Sequence, residues 1–151
     1  NMKKKILNII FVFFLTHCGF TPMYSITDSN IKIIIEKIEG QDREINNLIL
    51  SKLKMYSKNK NATNIFNIKI NTTYDKIIIS KDAKGNATSY RLATTVNFTV
   101  NSNSTNETFS INENFNINKI EDIFEQKKYE STIKNNFATS ISEKLIRKLL
   151  N

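Results

Sequence analysis

Cys18 is the only thiol of this 151-residue chain, and it stands where a thiol can be used. Lys3, Lys4 and Lys5 precede an apolar run over residues 6–15, and Thr16-His17 lead into Cys18-Gly19. That run is about half the roughly 20 residues a helix needs to cross a bilayer, so it reads as an export signal and not as a membrane span. Cleavage before Cys18 would leave a thiol for thioether formation beside a free amine for acylation, the two groups a bacterial lipid anchor requires. Leu15, three residues before the cysteine, fits that signal; His17 departs from the small residue usual just before the cut. An ordinary signal peptide or a buried free cysteine are the other readings. Gly19 follows the cysteine where an inner-membrane retention signal would place Asp, so the expected address is the periplasmic side of the outer membrane. The chain accordingly divides into a signal peptide over residues 1–17, a lipidated tether over 18–30 and a single domain over 31–151.

Little other chemistry is available. The one histidine is His17, inside the signal. Beyond it there is no pair for nucleophilic catalysis, no Cys/His zinc cluster, no imidazole base and no partner for a disulfide. Catalysis would have to rest on carboxylates and lysines. The adjacent acids Glu121 and Asp122 lie in a helix or turn context, where they read as caps and solvated charges. No catalytic residue, metal or cofactor is expected. The formal net charge is +8, three units of it in the signal, a basic bias that suits an anionic partner without requiring one. Arginine occurs only at Arg43, Arg91 and Arg147, whereas nucleic-acid readers lean on arginine forks, so nucleic acid is not an expected partner.

The elements that must carry any site are legible from periodicity. Residues 31–38 are β-branched and largely alternating, which predicts a strand ending at Gly40. Ile45, Leu48, Ile49, Leu53 and Tyr56 then recur at three- and four-residue steps, predicting an amphipathic helix capped by Asp42, with Arg43, Glu44, Lys52 and Lys54 outward. Residues 65–80 carry Phe66, Ile68, Ile70, Tyr74, Ile77 and Ile79. Residues 81–86 turn the chain, and Tyr90, Leu92, Thr94, Val96, Phe98 and Val100 alternate along the return, a long antiparallel hairpin. A second turn leads to Phe109, Ile111, Asn112 and Phe115. Ile133, Phe137, Ile141, Leu145 and Leu149 lie four apart and predict a closing helix, with Lys134, Glu143, Lys144, Arg147 and Lys148 mostly on its other side. The expected fold is α+β: a two-layer sandwich in which a four-stranded mixed sheet is covered on one face by two helices, in the order β-α-β-β-β-α. Its second face should be rich in Thr, Asn and Lys.

Four segments in this order resemble the LptE family, outer-membrane lipoproteins that assemble with the LptD barrel to place lipopolysaccharide in the outer leaflet. They are the cysteine-terminated signal, Cys18-Gly-Phe-Thr-Pro-Met-Tyr24, the hairpin stretch Gly85-Asn-Ala-Thr-Ser-Tyr90-Arg-Leu-Ala-Thr-Thr-Val96-Asn-Phe-Thr-Val100, and the closing Ser142-Glu-Lys-Leu-Ile-Arg147-Lys-Leu-Leu150. The start is similar to alphaproteobacterial members, and the likeness spans the mature chain. The resemblance implies a plug seated in an LptD-type barrel, held to the membrane by its N-terminal lipid, with lipopolysaccharide contacted by basic residues at the hairpin tip and ahead of the last helix. Counted back from Tyr90, the first such position falls on Ala83, flanked by Lys81 and Lys84. Counted back from Arg147, the second falls on Gln126, with Lys127 next. Lys81, Lys84 and Lys127 are therefore the candidate contacts, since a lysine ammonium meets phosphate without strict geometry. The alternative is a periplasm-facing lipoprotein of another kind: a scaffold, a pilotin or a binder of a soluble ligand.

Overall fold

The computed structural model describes residues 30–104 and 106–151. Cys18, the signal and most of the tether lie outside the described residues. The elements are β1 (Ile31–Gly40), α1 (Arg43–Ser57), β2 (Asn64–Lys81), β3 (Ala87–Asn101), β4 (Asn106–Asn118) and α2 (Ile123–Leu150). The sheet order is β1-β2-β3-β4. β1 runs parallel to β2 through the α1 crossover, and the other pairings are antiparallel. This is the mixed α+β sandwich expected from the periodicity.

Alternation decides what each face of the sheet touches. Phe66, Ile68, Ile70 and Thr72 of β2 lie beside Val100, Phe98 and Val96 of β3, and these beside Phe109 and Ile111 of β4. Both helices pack on that face. Ile45, Ile49 and Leu53 of α1 and Ile133, Phe137, Ala138, Ile141 and Leu145 of α2 close a single core with Ile31, Ile33, Ile68, Leu92, Val96 and Phe98. Asp42 caps α1, its Oδ1 accepting from the Ile45 amide at 3.0 Å. Asp122 caps α2, accepting from the amides of Phe124 at 2.8 Å and Glu125 at 3.0 Å. Two polar groups that enter the core pair with each other: Thr72 Oγ1 donates to Asn46 Oδ1 at 2.5 Å, and Asn46 Nδ2 donates to the Gly40 carbonyl at 3.3 Å, whereas the Tyr74 and Ser142 hydroxyls are buried without a hydrogen-bond partner.

Two expectations change. Ile77 and Ile79 do not join the core: Ile77 falls on the uncovered face beside Arg91, a bulge follows Ile78, and both isoleucines stay exposed. Lys134 is not an outward charge. Its ammonium donates to Asp42 Oδ2 at 2.5 Å and Glu44 Oε2 at 3.0 Å, lies 4.4 Å from the Tyr74 ring centre, and its side chain is only 12% exposed. Lys144 and Lys148 likewise pair with Glu113 and Glu107 of β4, each at 2.6 Å. The charged stripe of α2 thus clamps the helix to α1 and to the sheet edge.

The clamp around Lys134 carries a pH dependence. Burial pushes the Asp42 carboxyl up, but the Lys134 hydrogen bond, the Ile45 amide and the Lys134 charge outweigh it and hold it below its ordinary range. The Ser131 hydroxyl and Lys134 do the same for Glu44. Burial lowers the ammonium of Lys134, yet its two carboxylate partners raise it on balance. The carboxylate contributions are present above the ordinary carboxylate pKa and lost as pH falls through the depressed folded values. The lysine contribution is present below the ordinary lysine pKa and lost as pH rises through the raised folded value. Lys134→Ala is expected to cost about 1–3 kcal/mol at neutral pH, because the half-buried Asp42 and the more exposed Glu44 both lose a charged donor. Urea unfolding from pH 3 to pH 11 checks this; a variant as stable as wild type at pH 7 would show the clamp to be idle.

Candidate functional site

Three features of the surface are candidates for binding: the tip of the β2–β3 hairpin, a cleft at the start of α2, and the uncovered face of the sheet. The tip is built by Asp82. Its Oδ1 accepts from the amides of Lys84 and Asn86, both at 2.8 Å, and its Oδ2 accepts from Asn86 Nδ2 at 3.0 Å. These bonds, the Asn86 side chain first, hold the Asp82 carboxyl below its ordinary range. Gly85 supplies the left-handed residue the turn needs, at φ +86°. Because Asp82 spends its acceptors on the turn, Lys81 and Lys84 are left exposed, and no ion pair among the described residues engages either.

The cleft, of about 450 Å³, opens where Lys76 and Tyr90 of the hairpin stem face the β4–α2 connection and the first turns of α2. Lys76 lies 4.2 Å from the Tyr90 ring centre and pairs with Glu130. Gln126 is buried at the back: its Oε1 accepts from the Ile120 amide and its Nε2 donates to Glu130, both at 2.7 Å. Gln126 therefore clamps the connection, and the neighbouring Lys127 lines the opening together with Lys119 and Ile123. Ile123 and Phe124 are each 73% exposed on the first turn of α2. The rim is partly apolar, and of its three ammonium groups Lys76 pairs with Glu130 and Lys119 with Glu121 at 3.1 Å, which leaves Lys127 as the one in no ion pair among the described residues.

Of the three lysines expected from sequence, Lys127 reaches this cleft, while Lys81 and Lys84 stand beyond it on the tip. Lys76 and Lys81 are five residue steps apart on β2, about 16 Å along the hairpin. Sequence reasoning missed Lys76 and Lys119. Lys76 could have been found by continuing the alternation of β2, since Tyr74 and Lys76 share the parity of Phe66, Ile68 and Ile70.

The uncovered face is rich in Asn and Thr and carries charges at Lys69, Asp75 and Arg91 and along β1, where Lys37 pairs with Glu39 at 2.6 Å and Glu36 reaches Lys69 at 3.7 Å. Rows run across three strands: Lys69, Thr99 and Thr108; Asn71, Asn97 and Ser110; Thr73, Thr95 and Asn112; Asp75, Ala93 and Asn114. Its side chains can satisfy one another, as Ser110 and Asn97 do at 2.5 Å, or a hydrated polar wall. The tip and the point where the chain enters the domain lie at opposite ends, because Ile31 pairs with Asn64 at the start of β2 and the turn follows its last residue. The 18 residues of β2 hold these ends about 56 Å apart.

No protein-family model and no curated protein matches the sequence. Solved structures do match. The rare lipoprotein B of Shewanella oneidensis is similar at a TM-score of 0.57 with 16% identity, over 80% of this chain and 97% of that one. A lipoprotein B of Nitrosomonas europaea, described as uncharacterized, is similar at a TM-score of 0.52 with 12% identity, over 87% and 90%. At such identities the likeness is one of fold.

Proposed function

We propose that this chain is an outer-membrane lipoprotein of the LptE type, anchored through Cys18, which seats in an LptD-type barrel and assists lipopolysaccharide assembly without catalysing a reaction. The observation that carries the reading is the fold shared with rare lipoprotein B over nearly the whole of that chain, in a sequence that also places Cys18 behind three lysines and a short apolar run. The uncovered sheet face supports it. Large barrels have polar lumens, and a broad Asn/Thr/Ser surface on which Lys37 pairs with Glu39 and Lys69 with Glu36 can lie against a hydrated polar wall. The geometry of the domain supports it as well. A tether of residues 18–30 extends at most about 45 Å, so an anchored domain holds its hairpin tip away from its own anchor. Lys81 and Lys84 would then meet lipopolysaccharide phosphates at the distal end, with Lys127 and the apolar rim of the cleft beneath them.

Two tests follow from different parts of this reading. Cys18→Ala is expected to abolish fatty-acid labelling and release the protein from the outer membrane. Equal labelling without Cys18 would remove the anchor from the account. The triple Lys81→Glu, Lys84→Glu, Lys127→Glu variant is expected to bind lipopolysaccharide at least tenfold more weakly at low salt while still associating with the barrel. The attraction is of exposed ammonium groups for phosphates and is screened by salt, whereas the barrel contact uses the broad polar face. Wild-type affinity in the triple variant would refute lipopolysaccharide contact at these lysines.

A further inference from the structure

The sandwich is open at the end where the chain enters it. A pocket of about 360 Å³ lies there between the start of β2, the β3–β4 turn and the last turn of α2. Phe66, Val100 and Leu149 give it an apolar floor. Val100 is buried, whereas Phe66 and Leu149 pack on the core yet keep part of their surface in water. The charges at its wall are already used: Lys148 pairs with Glu107 at 2.6 Å and lies 4.7 Å from the Phe109 ring centre. The pocket therefore suits an uncharged, apolar occupant.

We infer that the occupant is the tether of this same chain, with Tyr24 and Ile26 seated against Phe66 and Leu149. Position selects it. Asn30 is bonded to two residues of the pocket's rim: its carbonyl accepts from the Asn64 amide at 3.1 Å and its Oδ1 from the Thr63 amide at 3.0 Å. The residues before Asn30 therefore start at the pocket's edge. Length allows it. From β1 to β3 is two strand spacings, about 10 Å, and extended chain reaches about 13 Å from Asn30 back to Ile26 and about 20 Å back to Tyr24. Residues 19–29 lie outside the described residues, but their sequence holds Phe20, Met23, Tyr24 and Ile26 and a single charge, Asp28. Such a segment matches the neutral, apolar character of the floor. Covalent attachment also gives the tether an effective concentration on the order of millimolar, which neither a free ligand nor a second copy has. Seating at Tyr24 leaves only residues 18–23 as a free leash, about 20 Å at full extension. The leash rests on the anchor at Cys18; the docking does not.

Residues 19–151 contain the whole core and no cysteine, so disulfide formation within this form reads the contact without the anchor. Ser25→Cys lies between the two seated residues, and Asn103→Cys lies at the pocket. On mild oxidation this pair is expected to close within one chain at least about tenfold faster than Ser25→Cys with Lys69→Cys. Lys69 is exposed on the uncovered face, about 16 Å along β2 from Asn64, where an unseated tether would also reach. Adding Tyr24→Asp and Ile26→Asp, both outside the core, should slow the Asn103 pair to the Lys69 rate, because a carboxylate loses its hydration on an apolar floor. A difference smaller than tenfold, an Asn103 rate that the two aspartates leave unchanged, or disulfides that join two copies would overturn the proposal. Fatty-acid labelling plays no part in this readout, so its failure leaves the Cys18 anchor standing, and failure of the anchor leaves the docking standing.

Discussion

Phe137→Ala is expected to lower the stability of the folded domain by about 3–5 kcal/mol, the cost of deleting a buried aromatic ring and leaving its cavity. Phe137 is 5% exposed and sits between Ile133 and Ile141 on the inward stripe of α2, against the β3–β4 half of the sheet. A helix this long gains most of its stability from that stripe, so removing the ring from its middle weakens the whole second layer. Urea unfolding of residues 30–151 measures the effect. A loss below 1 kcal/mol would mean that α2 does not pack as described. Leu150→Ala serves as the comparison: this leucine lies on the same helix but is 54% exposed, and its loss should be small.

Gly40→Ala is expected to be as damaging, for a different reason. Gly40 ends β1 at φ +148°, and a Cβ there would stand 2.0 Å from Thr72 Oγ1 and 2.6 Å from the Thr72 carbonyl oxygen. Thr72 cannot withdraw, because its hydroxyl holds Asn46 inside the core and its backbone pairs with both neighbouring strands. The strained backbone adds about 1–3 kcal/mol and the overpacking a similar amount, for a total of about 2–6 kcal/mol. Thermal unfolding of the variant decides it, and a melting temperature unchanged from wild type would show that the β1–α1 junction relaxes freely. Double substitution with Thr72→Ala tests the contact itself, since removing the hydroxyl takes away the atom nearest the new Cβ and should make the double variant less destabilised than the sum of the two single ones.

The fold was largely legible because the chain alternates cleanly where it is half-buried. Tyr90, Leu92, Thr94, Val96, Phe98 and Val100 announce β3 and its buried face without help from tertiary structure. Asp42 and Gly40 marked the passage from β1 to α1. The early part of α2 was not legible. Its first ten residues bury only Gln126, leave Ile123 and Phe124 exposed, and so show no apolar period from which a helix could be recognised. The role of Lys134 was hidden for a similar reason. It lies beside the buried stripe, and nothing in its spacing reveals that Asp42 and Glu44, some ninety residues earlier, wait across the α1–α2 contact.

The candidate site was legible in part. Lys81 and Lys84 follow from the turn, and Lys127 from its place ahead of the last helix. That Gln126 clamps the loop while Lys127 faces the cleft depends on the helical rotation set by the Asp122 cap. Lys76 and Lys119 belong to the cleft only because the hairpin stem folds under α2, a contact between segments more than forty residues apart.

The central claim is that the domain works by occupying a barrel, and the most direct measurement is affinity purification of the full-length, tagged lipoprotein from detergent-solubilised outer membranes. Mass spectrometry of the eluate is predicted to show an LptD-type β-barrel protein in roughly equimolar amount. A photo-crosslinker at Asn97, in the middle of the uncovered face, should form an adduct with that same barrel. Recovery of the lipoprotein free of any outer-membrane barrel, with no barrel adduct at Asn97, would contradict the account.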